Sequence, residues 1–173
     1  EFLGMIELLG WQDRFTVTKD QVVNNITGSK ILFKGLKTSS GTQTANLKSL
    51  AGVTCWVLDE AEELIDEDIF DKIDLSIRTK NKQNRVVMIL NPTTKEHFIY
   101  KRWFEQGQLK NTCYIHTTYL DNKDNLGESI LHEINQIKLT NPKKYDHVIL
   151  GGWLEKAEGV IFTNWQIGEF KKV

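Results

Sequence analysis

Two adjacent carboxylates, Asp59 and Glu60, close an apolar, β-prone run, Val53-Thr54-Cys55-Trp56-Val57-Leu58. That order suits phosphate chemistry. Buried parallel strands are close to continuously apolar, and ligands of open α/β sheets bind beyond the strands' carboxyl ends. A carboxylate at such a rim can share a hard cation such as Mg2+ with substrate phosphates, the role that Asp59 suits. Glu60 is then placed to orient or deprotonate the water that attacks a terminal phosphate, because phosphoryl transfer depends mainly on positioning and electrostatics. The same acids, with Glu62 and Glu63, would also suit the first turn of a following helix, whose macrodipole favours carboxylates there.

The elements that must position these groups alternate along the chain. Residues 1–10 read as the end of a helix, with Phe2, Leu3, Met5, Ile6, Leu8 and Leu9 apolar. The abrupt start, without an initiator Met or a capping signal, leads us to expect a cropped chain. Short extended segments at 15–17 and 21–25, the turn signal Thr27-Gly28-Ser29 and the alternating run 30–34 predict a β-hairpin appended to the main sheet. Residues 38–44 are polar and Gly-containing, a loop, and 46–50 a short helix. Residues 66–77 carry a helical pattern, Ile69, Phe70, Ile73, Leu75 and Ile77, with Asp66 as N-cap. A second strong strand, 85–90, ends in Asn91-Pro92-Thr93-Thr94. A helix at 96–106, a strand at 112–118 and helices at 128–139 and 142–150 follow, the last with Pro142 in its first turn. Strands alternating with helices predict an α/β three-layer sandwich with a mainly parallel sheet.

With 173 residues, 40% hydrophobic and 26% charged, the chain has room for one domain with a core. Neither a membrane-length apolar run nor a signal peptide is present, so a cytosolic protein is expected. Cys55 and Cys113 lie in apolar contexts outside any ligand cluster and read as buried thiols. His97, His116, His132 and His147 are scattered, without metal-ligand spacing, which points to structural or surface roles. A net charge of -1 supplies no global attraction to a polyanion, so nucleic-acid contact would have to use local patches. Those are Lys30, Lys34 and Lys37; the tract with Lys80, Lys82 and Arg85; Lys101-Arg102; and Lys143-Lys144.

Two neighbouring strands ending at Asp59-Glu60 and at Asn91-Pro92-Thr93-Thr94 would put acid and sensor-like polar groups on one rim, as in the additional-strand class of P-loop ATPases. With Phe33-Lys34-Gly35-Leu36 upstream, and Thr117-Thr118-Tyr119-Leu120-Asp121-Asn122, Asn141-Pro142-Lys143-Lys144-Tyr145 and Leu150-Gly151-Gly152-Trp153 downstream, the order resembles the large terminase subunit of tailed bacteriophages, of the PBSX-like kind. The resemblance covers nearly the whole chain. It implies the central and later part of a RecA-like ATPase domain over residues 1–173, with 150–173 leading towards a nuclease domain, in the ATP-driven motor that packages viral DNA into procapsids. Asp59 then matches the Walker B aspartate that holds Mg2+, and Glu60 the catalytic glutamate. Asn91, Thr93 and Thr94 match the segment linking hydrolysis to movement. Arg78 could face a phosphate or a neighbouring subunit, or be structural. Phe33, Leu36 and Tyr119 read as packing positions, and Trp153 as the close of the domain. The partners implied are double-stranded DNA, the portal of the procapsid, the small terminase subunit and further copies in a ring, in the cytoplasm of a bacterial host.

The sequence departs from that family by lacking a Gly-x-x-x-x-Gly-Lys-Ser/Thr phosphate loop and the nuclease carboxylates. The chain alone is therefore expected to bind ATP and Mg2+ only weakly and to turn over none. Two other readings stay open. Asp59-Glu60-Ala61-Glu62 also resembles the Asp-Glu-Ala box of helicases, although Leu90-Asn91-Pro92 stands where those have a Ser-Ala-Thr-like strand end and there is no room for a second RecA-like domain. A catalytically inactive prophage remnant that binds DNA or protein would also account for the missing loop.

Overall fold

Phe15 and Val17 alternate with polar neighbours, and the chain folds there into a three-stranded antiparallel sheet of order β1-β2-β3: β1 Phe15–Val17, β2 Gln21–Asn24 and β3 Lys30–Leu32. The computed structural model describes residues 2–35, 52–107 and 109–155, in two units, Glu1–Ala51 and Gly52–Val173. In the first unit the register pairs Phe15 with Asn24 and Val22 with Ile31, and the central strand buries Val22. The expected turn joins β2 to β3. The Asn24 side-chain oxygen accepts from the Ile26 and Thr27 N–H groups, and Gly28 takes φ +72°, a conformation that favours glycine. Helix α1, Phe2–Leu8, precedes the sheet and buries Ile6. Phe33 packs its ring against Phe2 at 5.5 Å yet stays exposed, because it follows an edge strand whose three residues all face solvent. Leu36, the loop at 38–44 and the helix at 46–50 lie outside the described residues.

The second unit is built on a parallel pair, β4 Cys55–Leu58 and β5 Arg85–Met88, in register from Cys55 opposite Arg85 to Leu58 opposite Met88. Parallel strands require a crossover, and α2, Glu67–Asp74, lies within it. Asp66 caps α2 as expected, its carboxylate accepting from the Asp68 and Ile69 N–H groups at 2.9 and 3.3 Å. The helix ends at Asp74 rather than at Ile77. There the Ser76 hydroxyl donates to the Ile73 carbonyl at 2.6 Å, and the Ser76 and Ile77 N–H groups bond only three residues back.

Packing on this pair is one-sided. Trp56 of β4 meets Phe70 of α2 at 5.2 Å between rings, and Phe70 meets Phe98 and Trp103 of α3, Phe98–Trp103, at 5.8 and 5.2 Å. Arg102 lies over the Phe70 and Trp103 rings while it pairs with Asp71 and Glu67. The hydrogen bond to Asp71 is the main reason its pKa is raised above the ordinary arginine value. The other face, with Cys55, Val57, Val87 and Ile89, is exposed, Val57 at 55%. Cys55 is therefore not a buried thiol.

Residues 112–118 form no strand, contrary to expectation, and Cys113 within them is exposed. No described strand lends this segment an edge, and side chains hold it instead. The Leu150 carbonyl can only accept, so His116 donates to it from Nε2 at 2.9 Å, which leaves Nδ1 to accept the Tyr114 hydroxyl at 2.9 Å. A capping box between Thr118 and Asp121 opens a 3₁₀ stretch, Tyr119–Asn125, and α4, Glu128–Thr140, follows. The expected helix at 142–150 starts with one α turn, α5 Pro142–Lys144, capped by Asn141, then widens into a π turn over Tyr145–Ile149. That turn delivers Gly151 at φ +65° beside His116, and a Cβ on Gly152 would stand 2.8 Å from the Asp146 carbonyl oxygen. Tyr145 is buried there, with its hydroxyl 3.0 Å from that of Tyr119. No helix among the described residues is long and apolar enough to cross a membrane.

Two substitutions test these local causes by chemical denaturation. Asp66→Ala should cost about 1 kcal/mol, the usual value of an N-cap. Gly152→Ala should cost about 1–3 kcal/mol, because its methyl group meets backbone rather than a side chain that can move aside.

Candidate functional site

The carboxyl ends of β4 and β5 are locked by two crossed backbone bonds. Ile89 N–H donates to the Leu58 carbonyl, and Ala61 N–H donates to the Ile89 carbonyl, both at 2.9 Å. For Ala61 to reach back to Ile89, the chain must reverse at Glu60, which sits in the left-handed region at φ 52°, ψ 48°. A 3₁₀ turn, Ala61–Glu63, completes the reversal and buries Ala61 and Leu64. Asp59 and Glu60 are left exposed at the rim, and Asp59 Oδ1 accepts from the Glu60 N–H at 3.2 Å. Glu60 precedes, and Glu62 and Glu63 lie within, the short 3₁₀ turn rather than the crossover helix. Helix α2 begins at Glu67 and has its own first-turn acids, Glu67 and Asp68.

Across the rim, Asn91 Nδ2 donates to Glu62 Oε1 at 3.2 Å, which ties the turn after β4 to the segment after β5. His97 adds a second tie. Its Nδ1 accepts from the Ile99 N–H at the start of α3, so Nε2 carries the proton and donates to the Glu62 carbonyl, 3.2 Å away. Thr93 and Thr94 are engaged differently from Asn91. Leu154 N–H donates to the Thr93 carbonyl and Lys95 N–H to the Leu154 carbonyl, each at 2.8 Å, and Thr94 forms a parallel bridge with Leu154. Glu62 Oε2 and the Thr93 hydroxyl are buried without a partner among the described residues. Trp153 packs against Tyr100 and Phe104, both 5.3 Å away, and Lys95 pairs with Glu155.

Asp59, Glu60 and Asn91 thus share one rim. Arg78, Lys80, Lys82 and Arg85 do not. The Thr79 hydroxyl donates to the Val53 carbonyl at 2.8 Å, and Arg85 pairs with Cys55, so this tract lies at the amino ends of the strands. Six residues of extended chain, roughly 20 Å, separate Val53 from Asp59.

Among the described residues, no three of His, Cys, Asp and Glu gather as a metal cage. Mg2+ needs none, since it commonly takes one or two carboxylates together with phosphates and waters. Asp59 fits that use: it is exposed at the strand end, and its second carboxylate oxygen has no partner among the described residues.

The sequence profile of the phage terminase large subunit matches residues 1–152. The chain belongs to this family. No curated protein sequence matches the chain. Among solved structures, a large terminase from a thermophilic bacteriophage is similar, with TM-score 0.62 and 15% identity over 88% of this chain and 36% of that one. The same terminase in complex with ADP gives TM-score 0.60 and 17% identity over 88% and 35% of the two chains, and in complex with ATP-gamma-S 0.53 and 16% over 82% and 32%. The chain therefore spans about a third of that terminase and shares its P-loop ATPase fold. These matches lend the helicase resemblance no support.

No sequence motif announces the ties across the terminase rim made by Ala61, Glu62 and His97, and those of Leu154 lie far along the chain from their partners. A signal existed only for the last, in the Leu150-Gly151-Gly152-Trp153 run that ends beside it. The strained Glu60 backbone gives a direct test. Glu60→Gly should be more stable than Glu60→Ala by about 1 kcal/mol in urea denaturation, the reverse of the usual order of these two residues.

Proposed function

We propose that this chain is part of the ATP-hydrolysing motor subunit that drives viral DNA into procapsids, and that it carries the acidic half of the nucleotide site. The observation that supports this reading is the parallel pair whose ends are locked together, with Asp59 and Glu60 exposed beyond one strand and Asn91 beyond the other, bonded across to Glu62. Asp59 would hold Mg2+, which when bound neutralises charge on the transferring phosphoryl group. Glu60 would direct the attacking water and accept its proton; the left-handed backbone and the buried Ala61 anchor fix where that carboxylate starts. Asn91, with Thr93 and Thr94, would couple the rim to α3 and to the strand-like segment at Leu154. ATP, double-stranded DNA, the portal, the small subunit and a ring of copies complete the proposal, with assembly in the host cytoplasm.

The test uses the gene product that contains both this segment and a phosphate loop. Glu60→Gln should lower kcat for ATP by about 10²–10⁴-fold while nucleotide binding persists. Asp59→Asn should weaken Mg2+-dependent nucleotide binding. Turnover that survives Glu60→Gln would overturn the assignment of the catalytic base.

A further inference from the structure

We infer that the amino-end rim of the parallel pair, Arg78 to Arg85, is a docking surface for the phosphate backbone of duplex DNA. The inference rests on the packaging reading for its biological setting but on separate residues for its chemistry. Four of these eight residues are basic, against 22 of 173 in the whole chain, and none is acidic. All four cations are exposed. What sets them apart from other cations of this unit is their density, since most of those cations also form no ion pair among the described residues. Arg102 is neutralised by Asp71 and Glu67 and Lys95 by Glu155, whereas Arg78, Lys80, Lys82 and Arg85 form no ion pair among the described residues.

The loop that carries them is also shaped. Asn84 closes it, accepting from the Thr79 N–H at 3.3 Å and donating to the Thr79 carbonyl at 3.4 Å, and Asn81 makes the turn at φ 61°. The Thr79 hydroxyl anchors its base to the chain entering β4, while Gln83 holds the Arg85 guanidinium at 2.8 Å. Arginine, lysine, asparagine, glutamine and threonine are the side chains that commonly contact phosphate oxygens, and such contacts position a protein without reading sequence. Single-strand sites add aromatic platforms on which bases stack, and residues 78–85 contain no aromatic residue. The surface therefore fits a duplex backbone, on the rim away from Asp59 and Glu60.

The experiment is fluorescence-anisotropy titration of the 173-residue chain with a labelled random-sequence duplex, without nucleotide, over a series of NaCl concentrations. Each cation in contact with B-DNA phosphate contributes about 0.9 to the slope of log affinity against log salt. Lys80→Gln/Lys82→Gln/Arg85→Gln should make that slope shallower by about 2.7, whereas Lys72→Gln/Lys110→Gln/Lys123→Gln, exposed lysines outside every candidate patch and with the same change in charge, should leave it within experimental error. Circular dichroism melting of both variants establishes that each is folded. A slope unchanged in the first variant, an equal loss in the second, or tighter binding of a single strand of the same length would overturn the assignment. Because no nucleotide is present, failure here leaves the roles of Asp59 and Glu60 standing. Failure of the Glu60→Gln test likewise leaves this surface standing.

Discussion

The rim depends on one small exchange of hydrogen bonds: Leu58 to Ile89, and Ile89 back to Ala61. Backbone donors and acceptors that leave a sheet must find other partners, and here the first residues beyond two strands satisfy one another. Ala61 can take part only because its side chain is small enough to be fully buried beside its neighbour strand. The reversal that brings it there places Glu60 in a backbone region costing roughly 1–2 kcal/mol for a residue with a Cβ. Strain of that size persists when surrounding contacts over-determine it, and the buried Leu64 with the bonds of the 3₁₀ turn provide them. Two exposed carboxylates thereby sit on a rigid base.

Beneath that base, aromatic packing joins the strand pair to α2 and α3. Trp56, Phe70, Phe98 and Trp103 form a chain of ring contacts, and Phe70, nearly fully buried, touches the other three. Arg102 covers this cluster with its guanidinium plane while its hydrogen bonds go to Asp71 and Glu67, so one long side chain both shields apolar surface and links α3 to α2. The cluster lies on one face only. The parallel pair is thus firmly held from the side that carries α2 and α3.

Much of this was legible in the sequence where local chemistry dominates. The Asp66 cap, the turn at Gly28, the two apolar runs with polar ends and Pro142 at the start of a helical turn are set by residues close together in the chain. The family order of short motifs also placed Asp59 and Glu60 in a terminase. What escaped depends on long-range partners. Residues 112–118 have the composition of a strand, yet a strand exists only where another edge meets it, and here His116 and Tyr114 bond instead. Cys55 looked buried because its neighbours are apolar, but strand residues alternate between faces and it lies on the uncovered one. Arg78 looked close to the acids because it follows them in sequence; the crossover carries it to the far end of the strands. No periodicity announces that His97 would serve Glu62 from 35 residues away.

That imidazole has one further consequence. A planar ring is a stiff plate, and this one is bonded at both edges: to the first turn of α3 through Nδ1 and to the carbonyl of Glu62 through Nε2. It cannot swing to follow the turn beyond β4 without uncapping the helix, nor tilt with the helix without releasing the turn. The side chain behaves as a strut with no slack. A displacement of the acidic turn along the strut must either move α3 or break one of two hydrogen bonds, so the turn and the helix act mechanically as a single part.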